Sequence, residues 1–468
     1  MSDKATFPPP LAAEIEAWSR RALPAETVPA LEDLGALLQA EGDHGGARLA
    51  LSRALAMAEA ASGPDHPETG RILNALAAAL LGTGDFAGAR ALLLRAVPIA
   101  ERTMGPDHPA TGACLGNLGL ALMNLGDYDG AEPLFRRSLA IVEDAEGPDH
   151  PGTGTHIDNL AALLREKGDL AAAEPLARRA LAIAERALGD DHPVTGTRLN
   201  NLGLLLRRAG DDADAERLYR RALDIAEKTL GPDHPETGVR LNNLAMVLRD
   251  RRDHDAAEQL LRRALEIART ALGTHHPVTA DRLGGLASVV GRRGRLDEAE
   301  ALCRSALEIK MEIFGTESVE AARAAEDLGR VLEDRGDIPA AAASYRQAVR
   351  GFAARFGPSS MACRRCLHRA GVMLRDAGLL SEAEEPLLAA LAIAEETAAR
   401  EPEGLAAALS AAGQLRAEQG LWPEAERLLV RALDLRRELG DPARIAASEA
   451  RLSASRMRAG RGIRAAFP

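Results

Sequence analysis

The chain has 468 residues, of which 46% are hydrophobic, so a large core is within its reach. Lys and Arg number 58 against 69 Asp and Glu, and a chain with a net charge of −11 repels phosphate backbones. Aromatic residues make up only 3%, which leaves few stacking platforms for single strands, so no nucleic-acid partner is expected.

The opening MSDKATFPPPLAAEIEAW has no apolar run of signal-peptide length. No stretch of about 18 uncharged apolar residues occurs anywhere, so no membrane partner is expected either. Cys114, Cys303, Cys363 and Cys366 are too few for a disulfide scaffold, which points to a reducing cytoplasm. Pro8 to Pro10 begin a short leader and Leu11 to Leu23 read as a capping helix, which sets residues 1–24 apart.

From residue 25 to residue 440 a period of 42 residues takes over. GPDHP begins at Gly63, Gly105, Gly147 and Gly231, GDDHP at Gly189 and GTHHP at Gly273. One column is alanine in ten successive units, from Ala47 to Ala425. Seven residues on, a second runs from Ala54 to Ala432 with Ser138 as its exception. Five residues before the first, a third is glycine from Gly42 to Gly420, with Arg252 as its exception. Each unit reads as two helices. In residues 193–231, Leu199, Leu202 and Leu206 recur at helical spacing, Gly210 stops that helix and Asp211 caps the next. Ala215, Leu218, Ala222, Leu223 and Ile225 then face inward. Neither helix buries its apolar stripe alone, whereas stacked copies do. The expected fold is all-α: an α-solenoid, a right-handed superhelix of ten helix–turn–helix repeats.

The connectors follow the same logic. Glycine closes one helix, the second proline suits the first position of the next, and Asp and His before it can accept from the free N–H groups there. His66, His108, His150, His192, His234 and His276 form one column. Stacked helices lie about 8–10 Å apart and zinc ligands about 2 Å from their metal, so these rings cannot share an ion, and no metal is expected. Pro98 falls inside a second helix and should kink it.

The Leu–Gly–Ala–Ala pattern on paired helices is similar to the tetratricopeptide repeat, whose usual period is about 34 residues. The longer unit here, with LNNLA in the first helix, AEPL and RALAI or RALEI in the second and a GxDHP connector, resembles the repeat domain of kinesin light chains and their prokaryotic look-alikes. The resemblance covers roughly residues 25–440, and the wealth of Ala and Arg suggests a bacterial source. Kinesin light chains also carry a coiled coil that binds the motor. About 25 residues precede the first unit here, without heptads, so a motor-adaptor role is not expected.

The resemblance implies peptide binding in a concave groove lined by first helices. In such repeats a polar residue just before the first-helix leucine contacts the bound backbone, and in this chain that column reads Asn117, Asn159, Asn201 and Asn243 in four consecutive units, with Gly285, Asp327 and Arg369 after them. Asn200 and Asn242 stand beside it. An amide both donates and accepts, which suits any peptide backbone. The first helices of the central units end in Arg165, Arg207, Arg208 and Arg249, which either stabilise helix C-termini or favour an acidic partner segment. Glu132–Arg136, Glu174–Arg178, Glu216–Arg220, Glu258–Arg262 and Glu300–Arg304 read as i,i+4 pairs on a solvated outer face.

No phosphate-binding loop, nucleophile elbow or HExxH helix occurs, so no catalysis and no cofactor are expected. Cys363-Arg-Arg-Cys366, with His368 nearby, supplies only two ligands, and Cys303 falls in a core column. Residues 442–459 read as a C-terminal capping helix within a terminal segment 441–468, whose last residues form a frayed tail. The expected function is a non-catalytic scaffold that holds a protein or peptide segment. The alternative is a solenoid that assembles with itself as a homodimer.

Overall fold

The computed structural model describes residues 27–40 and 42–466. The expected N-terminal capping helix lies outside them. The described residues form twenty-one helices and no strand. The chain divides into two compact units, residues 1–232 and 233–468.

In the first unit the helix pairs are α1 (Val28–Ala40) with α2 (His44–Ser62), α3 (Pro67–Thr83) with α4 (Phe86–Thr103), α5 (Pro109–Asn124) with α6 (Tyr128–Glu146), α7 (Pro151–Lys167) with α8 (Leu170–Leu188), and α9 (Pro193–Arg208) with α10 (Asp212–Thr229). In the second they are α11 (Pro235–Asp250) with α12 (His254–Leu272), α13 (Pro277–Arg292) with α14 (Leu296–Phe314), α15 (Val319–Arg335) with α16 (Ile338–Phe356), α17 (Met361–Asp376) with α18 (Leu380–Glu396), and α19 (Pro402–Glu418) with α20 (Trp422–Leu439). The last helix, α21 (Pro442–Ala466), continues through most of the stretch expected to fray. Among the described residues no helix is long and apolar enough to cross a membrane.

The punctuation explains the pairing. Glycines of the third column take positive φ, Gly210 at 87°, and close the first helix: Gly210 N–H donates to the Arg207 carbonyl and Asp211 N–H to that of Leu206. Arg252, the exception in the column, is forced to the same conformation at φ 66°. Asp211 then accepts from Asp214 N–H at 3.1 Å and caps α10, as Asp43, Asp85, Asp127, Asp169, Asp253 and Asp337 cap their own helices.

The GPDHP connector is a lock of three parts. His192 Nδ1 accepts from Val194 N–H at 3.2 Å and caps α9, and Pro193 occupies the first turn. The Thr195 hydroxyl then donates to the Gly189 carbonyl at 2.8 Å, tying the new helix to the end of the old one. The same pair of bonds recurs at His66 and Thr69, His108 and Thr111, His150 and Thr153, and His276 and Thr279. Each of these imidazoles is thus an N-cap.

The core repeats with the sequence. Leu199, Leu202 and Leu206 are buried on α9, and Ala215, Tyr219, Ala222, Ile225 and Ala226 on α10. Leu218 and Leu223, expected to face inward, are only half-buried. The inward stripe follows the i, i+4, i+7 row of Ala215, Tyr219 and Ala222, and the two leucines flank it. Second helices place a large side chain opposite a first-helix glycine, as in Phe135 on Gly119, Tyr219 on Gly203 and Tyr345 on Gly329. Helix α4 is continuous through Pro98, where the expectation was a kink. The bond that proline removes would have gone to the carbonyl of Leu94, an exposed residue.

Within each unit the stack is asymmetric. First helices of adjacent repeats touch one another, α7 with α9 in the first unit and α11 with α13 in the second. Second helices are instead joined by long ion pairs: Arg95–Glu59, Arg137–Glu101, Arg179–Glu143 and Arg221–Glu185, each 2.6 Å. Each unit is therefore tighter on its first-helix side.

Candidate functional site

The face built by the first helices carries the residues that the sequence singled out. Asn117 on α5 donates its amide to Asn74 Oδ1 on α3 at 3.0 Å, a bond between neighbouring repeats. Asn159 on α7 and Asn201 on α9 are half-buried, and their amides have no hydrogen-bond partner among the described residues. Asn200 is buried and Asn243 half-buried, and both are held by polar interactions. Asn242 is half-buried and lines a cleft of the second unit.

The arginines are more tightly held than a free ladder would be. Arg165 folds onto Glu166 at 3.0 Å. Arg208 donates to the Arg165 carbonyl at 2.9 Å and reaches Glu166 at 3.3 Å, so it closes the C-terminus of α7 from the next repeat. Arg249 pairs with Asp250 at 2.7 Å and donates to Ser288 Oγ at 3.4 Å. Arg207 is half-buried near Tyr219; burial pushes that phenol up to about 12, with Arg207 and Arg165 pulling it down.

The second unit holds a cleft of about 590 Å³ lined by first helices α11, α13, α15 and α17, with Cys303 of α14 at its back. Five arginines border it (Arg249, Arg282, Arg292, Arg330 and Arg369), together with Asp281, Asp327 and Asp334. Asp281 is bound to Lys310 at 2.8 Å, Asp327 pairs with Arg330, and Arg369 donates to Glu333 at 2.7 Å. Arg282 and Arg292 have no hydrogen-bond or ion-pair partner among the described residues. Burial pulls the Arg282 guanidinium below its usual value, and Asp281 offsets part of that. The cleft opens where the Asn column turns to glycine: Gly284, Gly285 and Gly291 stand where the preceding unit has Asn242, Asn243 and Arg249. That run of glycines is the sequence signal that marks the cleft.

The cysteines take structural places. Cys363 stands in the threonine column, and its thiol lies 3.8 Å from the Gly357 carbonyl and 3.6 Å from that of Val349. Burial pushes the Cys303 and Cys366 thiols up to about 12, which suppresses the reactive thiolate. Cys303 is in the core, as its column predicts. No group of three or more His, Cys, Asp or Glu that could hold a metal occurs among the described residues.

Paired helices, αL glycine stops and a polar first-helix face define a helical repeat scaffold. The chain belongs to the tetratricopeptide repeat family: the family model matches residues 26–102, 71–122, 115–186, 155–228, 199–270, 240–302 and 278–354, and a second tetratricopeptide repeat model matches 408–443. None of the curated proteins matches it. Among solved structures it is similar to the nearly identical repeats of a putative kinesin light chain from Podosopora anserina, with 22% identity over 44% of this chain and 97% of that one and a TM-score of 0.40. It is similar to BtubC from P. vanneervenii, with 24% identity over 50% of this chain and 91% of that one and a TM-score of 0.41. The quorum sensor NprR from B. thuringiensis, in its apo form, shares the fold at a TM-score of 0.53, with 12% identity over 73% of this chain and 92% of that one.

Proposed function

We propose that the chain is a non-catalytic cytoplasmic scaffold that grips an extended or helical segment of a partner protein, acidic in character, on its first-helix face. The observation that carries this reading is the pair of amides on Asn159 and Asn201. They sit on the neighbouring helices α7 and α9, half-buried and without an intramolecular partner. These amide atoms are not sealed in the interior, and a peptide backbone supplies both the donor and the acceptor that each amide lacks. Arg165 and Arg208 lie at the end of α7, where a carboxylate of the segment would compete with Glu166 for them. The four free and buried cysteines suit a reducing compartment.

The test is capture of acidic peptides from a defined synthetic panel by the full chain, measured against charge-neutral versions of the same peptides. Replacing both Asn159 and Asn201 by Ala is expected to weaken capture about tenfold or more, with helicity and melting temperature nearly unchanged. Capture that survives the double substitution at full strength would overturn the reading.

A further inference from the structure

Glycine inside a helix is destabilising relative to alanine, so each such residue calls for a reason. Among the described residues the chain supplies one nearly everywhere. Its loop glycines have positive φ. Its helical glycines meet a neighbour, most of them tightly, as Gly119 does Phe135, Gly203 Tyr219 and Gly371 Leu387, and Gly45 and Gly291 at ordinary contact distance. Gly284 is the exception. It lies within α13, has no positive φ, and a Cβ added to it would meet no atom within 4 Å. Neither conformation nor packing accounts for it. What its missing side chain provides is space, in the floor of the cleft of the second unit and in a recess of about 100 Å³ beneath, closed by Cys303, Ala306 and Ala324.

The charges around that space agree. Arg282 lies two residues before Gly284 and is partly withdrawn from water without an ion-pair partner, and Arg292, at the end of the same helix, is also unpaired. Asp281 offsets only part of what burial costs the Arg282 guanidinium, and a bound anion would complete that balance. Asp334, exposed on the opposite wall, makes no ion pair and is left to accept from a hydroxyl or amino group. The volume lies within the range of about 300–1,000 Å³ usual for small-molecule pockets.

We propose that this cleft is a binding site for a small, multiply charged oxyanion, its phosphate or carboxylate groups held by Arg282 and Arg292 and its body seated over Gly284. This goes beyond the segment-binding reading and does not depend on it, because Asn159 and Asn201 belong to the other unit. The probes are pyrophosphate and citrate, titrated calorimetrically into the full chain at constant ionic strength, and the stronger of the two decides between phosphate and carboxylate. The wild-type chain is expected to bind at least one of them at a single site per chain. Gly284→Leu, which fills the floor, and Arg282→Ala are each expected to weaken binding at least tenfold with an unchanged circular dichroism spectrum, while Arg178→Ala, on the outer face of the first unit, leaves it unaltered. If Gly284→Leu loses helicity, the double substitution Arg282→Ala and Arg292→Ala carries the test alone. The absence of binding by the wild type, or equal binding by the cleft variants, overturns the proposal.

Discussion

The ring of Tyr219 on α10 fills the notch left by Gly203 on α9: a Cβ on Gly203 would lie 2.9 Å from Tyr219 Cε1. Tyr219 is fully buried, so its ring cannot swing away. Gly203→Ala is therefore expected to destabilise the chain by about 1–3 kcal/mol through overpacking, despite the better helix propensity of alanine. The same substitution at Gly284 meets open space and is expected to stabilise by about 0.5–1 kcal/mol. Urea unfolding of the two variants measures both. If both shift in the same direction, the explanation that one glycine serves packing and the other an open floor does not hold.

Arg252 occupies the position where the other units place a glycine, and it adopts φ 66°. A left-handed conformation costs an L-residue roughly 1–2 kcal/mol, of which glycine's extra chain entropy recovers about half. Arg252→Gly is expected to raise stability by about 0.5–1 kcal/mol without altering the helix content. A loss of stability would mean that the arginine side chain contributes more than its backbone costs.

The connector suggests a third experiment. Thr195 donates to the Gly189 carbonyl at 2.8 Å, and Thr195→Val keeps the volume but removes the donor, for an expected loss of about 1 kcal/mol. At the equivalent place Cys363 offers only a weak thiol 3.8 Å from the Gly357 carbonyl. Cys363→Thr should install the bond used elsewhere and gain about 0.5 kcal/mol. Thermal unfolding of the pair checks both signs, and a neutral Thr195→Val would show that the lock is geometric only.

Much of this architecture was legible because it is periodic. Ten copies of one pattern showed the helix pairs and the glycine stops, Asp211 was legible as a cap, and even the misfit at Arg252 stood out by its column. Partners joining different repeats were not legible. The threonine-to-glycine bond and the Arg179–Glu143 pair depend on how copies stack, which spacing along the chain does not state. The arginines at the ends of first helices were visible, but that Glu166 and Asp250 hold Arg165 and Arg249 was not. The cleft was hardest to foresee, since it is made by side chains that Gly284 and Gly285 lack. Leu218 and Leu223 were misplaced because helical spacing alone does not separate the centre of an apolar stripe from its edge.

Asp158 on α7 gives the fold a pH signature. Its carboxylate accepts from Arg198 Nε on α9 at 3.0 Å, yet burial outweighs that attraction and pushes the carboxyl up to about 6 from 3.8. Between those values the folded chain holds a proton that the unfolded chain has lost, so folding takes up a proton there. Stability from this group is greatest on the acid side, falls as pH rises through about 6, and is lowest above it. Asp158→Asn keeps an oxygen for Arg198 to bond and removes the titration; the sequence already has Asn200 and Asn242 at the matching positions. Removing the charge partner of a buried guanidinium has a cost of its own at every pH, so the informative quantity is the slope rather than the offset. Unfolding free energies of wild type and variant, measured from about pH 4 to pH 7, are expected to shift progressively in favour of Asp158→Asn as pH rises across that window. Parallel curves, or a drift in favour of the wild type, would mean that Arg198 and not burial sets the state of this carboxyl.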